Sequence, residues 1–254
     1  MFRLLAILHA ASTCLAGNLR SHIVGGSLVT TAQHLHPHLV SVRSFGYHGC
    51  GGSIVNKWTV ITAAHCLIHF INDTTNLSVV AGIVNLSETG QTRRIAKVRS
   101  HPEYKQFLHY DVAIMILQRP LEFNDRVQPI AMSEEEVGGD VDCITAGWGL
   151  TKANGTGSEV LKELRVKSLT KKQCQSMQPY KNDFIGDGHI CTLLKVGHGV
   201  CQGDSGGSLV FNNKLIGIAS WVWPCARGIP DVFTKISKYI DWIKNEMKQE
   251  GLTQ

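Results

Sequence analysis

The chain has 254 residues, 43% of them hydrophobic and 18% charged, with a formal charge of +5. That length and apolar content bury a sizeable core, as one all-β domain or two fused barrels, and exclude a disordered chain. The basic residues are unclustered, so no nucleic-acid partner is expected.

Residues 1–16 open with Arg3, run apolar from Leu4 with only His9, Ser12 and Thr13 interrupting, and end in Cys14-Leu15-Ala16. This pattern predicts a signal peptide and a secreted, extracellular product. No later stretch approaches the roughly 18 apolar residues of a spanning helix, so no membrane anchorage is expected. His34, His36 and His38 alternate, and on an extended segment would put three imidazoles on one side, within reach of zinc or copper. Pro37 instead marks a surface loop, and no metal is expected there. Short β-rich runs at 58–62, 77–81, 112–117, 209–211 and 215–220 recur between Gly, Asn and Asp clusters, which predicts sandwich or barrel architecture rather than a parallel sheet. Asn72, Asn76, Asn85 and Asn154 each head an Asn-x-Ser/Thr sequon in a polar stretch and are glycosylation candidates. Residues 236–248 break the β pattern, with Ile236, Ile240, Ile243 and Met247 spaced for one helix face. No repeat or low-complexity tract is present.

The most informative segment is Cys201-Gln202-Gly203-Asp204-Ser205-Gly206-Gly207, which sets a serine in a glycine-crowded turn. A serine hydroxyl becomes a strong nucleophile when a general base takes its proton and an oriented carboxylate stabilises the imidazolium. Thr62-Ala63-Ala64-His65-Cys66 offers the histidine, and Asp111 leads the apolar run Val112-Ala113-Ile114-Met115-Ile116-Leu117. The order His65, Asp111, Ser205 is that of the chymotrypsin-like proteases, not of subtilisins or α/β-hydrolases. With Ile23-Val24-Gly25-Gly26, Cys50-Gly51-Gly52-Ser53 and Gly147-Trp148-Gly149 also in register, the chain resembles the trypsin/chymotrypsin family of serine endopeptidases from Ile23 to the carboxy-terminal helix.

The resemblance implies an all-β fold of two six-stranded antiparallel barrels, roughly 23–125 and 130–237, with a helix at 236–248 and the site in the cleft between them. It implies catalysis by His65, Asp111 and Ser205 without a cofactor, an oxyanion hole from the N–H groups of Gly203 and Ser205, and pairing of the substrate backbone with Ser220, Trp221 and Val222. It implies disulfides Cys50–Cys66, Cys174–Cys191 and Cys201–Cys225. Cys143 is left over, because Phe211 stands where its partner would be; a buried thiol and an intermolecular disulfide are the two alternatives. Calcium is not expected, since Ile83 follows Gly82 where trypsins carry a ligating glutamate.

The resemblance also implies a zymogen. Removal of a propeptide, residues 17–22, would free Ile23 to pair with Asp204, by a cut after His22 or by a cut after Arg20 with later trimming. Loss of residues 1–22, which hold two arginines and no acid, lowers the formal charge by two. The primary pocket would be built from Gly199, Val200, Ala219, Val222, Asp231 and Phe233, a set similar to that of neutrophil elastase. It predicts a shallow pocket and cleavage after small aliphatic residues. Trypsin- or chymotrypsin-like preference, and a non-catalytic homologue acting by binding, are the alternatives. The expected partners are protein or peptide substrates, an activating protease and serpin-type inhibitors, with the enzyme a monomer.

Overall fold

Alternating β-branched and polar residues over 39–56 give the strands β2 (Leu39–Ser44) and β3 (Tyr47–Asn56), joined by a two-residue turn. They continue into β4 (Thr59–Thr62), β5 (Leu77–Ala81), β6 (Gln91–Ser100) and β7 (Ala113–Leu117), which close a barrel in the order β2-β3-β4-β7-β6-β5. Val40, Val42, Ile54, Val60, Val79, Ile95 and Met115 fill it. The structure, a computed structural model, describes residues 23–30, 36–105, 109–179, 184–222 and 225–252. The expected signal peptide and propeptide, and His34, lie outside the described residues.

The second barrel is built from β9 (Asp142–Gly147), β10 (Lys162–Leu169), β11 (His189–Leu193), β12 (Ser208–Phe211), β13 (Lys214–Trp221) and β14 (Asp231–Lys235). Pairing runs β10-β11-β14-β13-β12-β9, and β9 pairs back to β10 from Gly147 opposite Lys162 to Asp142 opposite Lys167, closing the ring. Leu164, Val166, Ile190, Leu209, Ile216 and Phe233 fill its interior. The fold is therefore the expected pair of six-stranded antiparallel barrels. Among the described residues, two short strands lie outside the rings. β1 (Ser27–Leu28) pairs with β10, and β8 (Ala131–Met132) runs parallel to β13. The placement of β1 corrects the expected first-barrel span: the amino-terminal segment is a strand of the second sheet, and the first barrel begins at Leu39.

Between the barrels, Ile61, Ala63, Val112 and Ile114 from the first meet Leu215 and Ile218 from the second. Helix α2 (Ile236–Gln249) covers this seam with Ile236, Tyr239, Ile243 and Met247, each such apolar side chain contributing about 1.5–3 kcal/mol. Its far end is held to the first barrel by Lys97 and Arg99 on Glu250, by Arg99 on Glu246, and by the Asn56 amide donating to the Leu252 carbonyl at 3.1 Å. No helix among the described residues is long and apolar enough to cross a membrane.

The three disulfides form as expected, Cys50–Cys66, Cys174–Cys191 and Cys201–Cys225. With sequence separations of 16, 17 and 24, each restricts the unfolded chain by about 3 kcal/mol in the loop-entropy picture. Cys143 is a buried thiol in the second core, with Phe211 packed against the same cluster. Burial, aided by the neighbouring Asp142 carboxylate, pushes its pKa up to about 11. The thiolate is the reactive form, so Cys143 should resist alkylation by iodoacetamide at pH 8 in the native protein and react fully in denaturant. Peptide mapping checks this, and rapid native labelling would contradict the packing.

Candidate active site

Asp111 follows a residue in an unusual backbone state. Tyr110 has φ of 61°, a conformation that side chains other than glycine seldom adopt. Packing over-determines it: the Tyr110 ring stacks on His101 at 4.6 Å and meets Tyr239 edge-on at 5.6 Å. Val112 N–H then donates to the Tyr110 carbonyl at 2.8 Å, and the Asp111 side chain turns into the seam between the barrels. Its Oδ1 accepts from the His65 backbone N–H at 2.9 Å, and its Oδ2 from His65 Nδ1 at 2.8 Å and from the Ser220 hydroxyl at 2.5 Å. The Thr234 hydroxyl donates to the Asp111 carbonyl at 2.9 Å. His65 sits in a single 3-10 turn, Ala64–Cys66, tethered by the Cys50–Cys66 disulfide. Both sulfurs beside the imidazole are thus oxidised, and the Cys50, His65, Cys66 grouping offers no thiolate to a metal.

Ser205 comes from the second barrel, on a loop folded against the first. Gly51 N–H donates to the Ser205 carbonyl at 2.7 Å, and the Thr62 hydroxyl to the Gly51 carbonyl at 2.8 Å. Gly206 follows with φ of 77°, where a Cβ would fall 2.1 Å from Thr62 Oγ1; no other residue fits. On the other side of the serine, Gly203 has φ of 93° and its carbonyl accepts from His48 Nε2 at 3.0 Å. That bond fixes the His48 tautomer, so Nδ1 accepts from the Ser41 hydroxyl at 2.9 Å. Burial lowers the His48 pKa to about 4, with Arg43 adding to the effect, and the ring stays neutral as this arrangement requires. Among the described residues, no bond occupies the N–H groups of Gly203 or Ser205.

His65 and Ser205 face one cavity of about 460 Å³, whose lining includes Phe184, Val200, Gln202, Ala219, Ser220, Trp221 and Val222. Of the expected pocket residues, Val200, Ala219 and Val222 reach this surface. Phe233 lies behind it, paired with Ala219 across β13 and β14. Asp231 is tucked under the wall, its Oδ2 accepting from Val200 N–H at 2.9 Å and filling the space where a Cβ on Gly199 would stand, 2.7 Å away. Burial, with the nearby Asp204 adding to it, raises its carboxyl pKa to about 8. Asp204 is equally enclosed; it accepts from the N–H groups of Gly149 at 2.8 Å and Cys201 at 2.9 Å, and burial raises it to about 7. Ile23 is fully buried in the second core beside Val200, and Val24 bridges to Gly199.

Sequence reasoning missed His48, the hydroxyl bonds of Ser220 and Thr234 to Asp111, and the contribution of Phe184 to the cavity. The first three have no local signature, since their partners are 100 or more residues away or reached only through the fold. The histidine segment is also corrected. His36 and His38 lie against a turn rather than on an exposed loop, His36 bonded to Glu163 and His38 to Ser208, both at 3.0 Å. His38 is buried, which lowers its pKa to about 3. At the calcium question, Ile83 packs into an apolar cluster, while Glu88 accepts from the N–H groups of Val84 and Asn85 and pairs with Arg126.

Residues 23–243 of the chain match a family model described as Trypsin. The chain belongs to the trypsin family. It is 34% identical over 250 residues to trypsin II-P29 of Gallus gallus, with 96% of each chain covered. It is 35% identical to serine protease 1 of Rattus norvegicus, covering 88% of this chain and 89% of that one. It is similar at 33% identity to the clotting factor G beta subunit of Tachypleus tridentatus, covering 88% and 79%. As a trypsin-family member it is a serine-type endopeptidase acting on protein or peptide substrates.

The position of Asp231 generates a pH prediction. Its folded pKa is raised above the unfolded value near 4, so the stability it contributes is fully present below pH 4 and is lost as pH rises through about 8. Asp231→Asn keeps an oxygen for Val200 N–H and removes the ionisation. The variant should match wild type near pH 4 and exceed it by on the order of a few kcal/mol at pH 9. Urea unfolding at pH 4, 7 and 9 measures the difference; a gap independent of pH would show that Asp231 ionises freely in the fold.

Proposed function

We propose that this trypsin-family chain is a secreted zymogen whose mature form cleaves peptide bonds through His65, Asp111 and Ser205, with preference for small aliphatic residues. The observation that carries the catalytic part is the His65–Asp111 pair, closed at 2.8 Å, facing the same cavity as Ser205. With Nδ1 donating to Asp111, Nε2 is the basic nitrogen. It takes the Ser205 proton as the hydroxyl oxygen attacks the carbonyl carbon, and returns it to the departing amine. Asp111 stabilises the imidazolium without taking the proton, which suits a carboxylate already accepting three hydrogen bonds. The N–H groups of Gly203 and Ser205 receive the tetrahedral oxyanion, and each donor of this type stabilises the transition state by about 2.7–4 kcal/mol. Ser220, Trp221 and Val222 pair with the extended substrate backbone.

Activation follows from the electrostatics under the site. Asp204 is enclosed and its carboxyl is held up at about 7. A cation beside it would favour its ionised form, and Ile23 is buried in the adjoining core. Cleavage before Ile23 supplies that cation as a new ammonium group, which locks the 201–205 loop. Secretion is supported by the amino-terminal pattern, by the disulfides and by the relatives; glycosylation at the four sequons follows from that route. The preference for small residues rests on Val200 and Val222 at the cavity wall and on Asp231 lying beneath it, bonded to Val200 N–H.

Protein cut before Ile23 should hydrolyse peptide substrates and label with a fluorophosphonate, whereas protein retaining residues 17–22 should do neither. Ser205→Ala in the cut form should lose roughly 10⁶-fold in kcat, and adding His65→Ala should cost little more, because the residues act as one unit. Near wild-type turnover by Ser205→Ala would reject the assignment. For specificity, kcat/KM on tetrapeptides differing only at the cleaved residue should favour Val or Ala over Phe and Arg, by about 1–3 kcal/mol per misfitting group. Val222→Gly should raise the rates for larger residues. A wild-type preference for Phe or Arg would replace the elastase-like reading with a chymotrypsin- or trypsin-like one.

A further inference from the structure

The turn between β2 and β3 exposes an aromatic side chain beside a sequon. Phe45 and Gly46 form the two-residue turn with φ of 52° and 85°, the left-handed pair that suits a tight hairpin. Phe45 is 69% exposed, although a left-handed, solvent-facing position favours Asn, Asp or Gly. Its backbone is fixed by a contact to the neighbouring strand: Phe45 N–H donates to the Asn76 carbonyl at 2.9 Å, extending the β2–β5 register in which Ser44 lies opposite Leu77. The Phe45 main chain is thus bonded directly to that of Asn76, which sets the turn beside the sequon. Leu77, one residue on, is buried in the first core, so Asn76 lies on the outer side, and Phe45 is exposed in the adjoining turn. Asn76 is exposed and heads the sequon Asn76-Leu77-Ser78.

We propose that Asn76 carries an N-linked glycan whose first N-acetylglucosamine lies on the Phe45 ring, so that the sugar's apolar C–H face covers the exposed aromatic and pins the hairpin. The proposal rests on the secretory reading above. An aromatic ring and a pyranose face are both flat and weakly polar, and their contact removes apolar area from water without requiring any charge. The glycan's β-linked amide leaves Asn76 on the outer side, next to the exposed Phe45 turn whose N–H is bonded to the Asn76 carbonyl. Tyr47 is also exposed, but it pairs with Ser44, whose other partner is Leu77 rather than Asn76. The Phe45 turn adjoins a second cavity, of about 330 Å³, lined by His65, Ser205, Phe70, Val42 and Ser44. A pinned hairpin would thereby hold one rim of the cleft.

The test is a double-mutant cycle in full-length protein made in a eukaryotic secretory host, in a background in which Asn72, Asn85 and Asn154 are changed to Gln. Mass spectrometry reads occupancy of Asn76. The glycan is removed genetically by Ser78→Ala, which leaves Asn76 itself in place, and independently by Asn76→Gln; each is combined with Phe45→Ser. With Phe45 present the glycan should raise Tm by about 2–4 °C, and with Phe45→Ser it should raise it by almost nothing. Phe45→Tyr, which keeps the ring, should retain the increment. An equal glycan increment with and without the ring overturns the proposal. So does a bare Asn76 in protein recovered from the medium, an outcome that leaves secretion standing. A fall in kcat/KM on Phe45→Ser that is the same in both glycan states, without coupling in Tm, would overturn it too and assign the hairpin to substrate contact.

Discussion

The carboxylate of Asp111 joins the two barrels, and the cleft depends on it. It takes two hydrogen bonds from His65 in the first barrel and one from Ser220 in the second, while Thr234 holds its carbonyl. A buried carboxylate without such donors would cost several kcal/mol or be protonated. Here each oxygen is satisfied, and the donors come from both halves of the chain, so the bonds are complete only where the barrels meet correctly. The strained Tyr110 backbone that aims it, and the His101 and Tyr239 rings that hold Tyr110, follow from the same requirement.

Beneath the cleft two further carboxylates pull the other way. Asp204 and Asp231 are both enclosed, each with a raised pKa, and the charge on the first makes ionisation of the second harder. Such a pair lowers stability unless a proton or a cation is supplied. Residues with strongly shifted titration concentrate where a protein must change state or handle charge, and this pair flanks the loop that carries Ser205. His48 contributes in the opposite sense: kept neutral by burial, it spends both ring nitrogens on bonds that position Gly203.

Much of this was legible in the sequence because it is written locally. The runs at 58–62, 77–81, 112–117, 209–211 and 215–220 became strands within a residue or two, and the spacing of Ile236, Ile240, Ile243 and Met247 gave the buried face of α2. Helix α1 (Lys171–Met177) was missed although Thr170 and Gln173 form a capping box that can be read from Thr-x-x-Gln. Its seven residues are too few for periodicity to declare. Pairing of β1 with β10 could not be read at all, because nothing near Ser27 names Lys162 and Glu163 as its partners. The hydrogen bond that holds Asp231 was hidden for the same reason. Its partner is the Val200 backbone, and a main-chain N–H leaves no trace in the residue alphabet.

Helix α2 leaves the second barrel and ends against the first, where Asn56, Lys97 and Arg99 receive it. These contacts tie the two barrels together at the end of the helix away from the second barrel. Ser220 and Thr234, which complete the Asp111 site, lie in the second barrel, so the first barrel by itself leaves the carboxylate without one of its three donors and the Asp111 carbonyl without Thr234. The first barrel alone therefore cannot finish the cleft: the Asp111 site is complete only when strands β13 and β14 of the second barrel are in place.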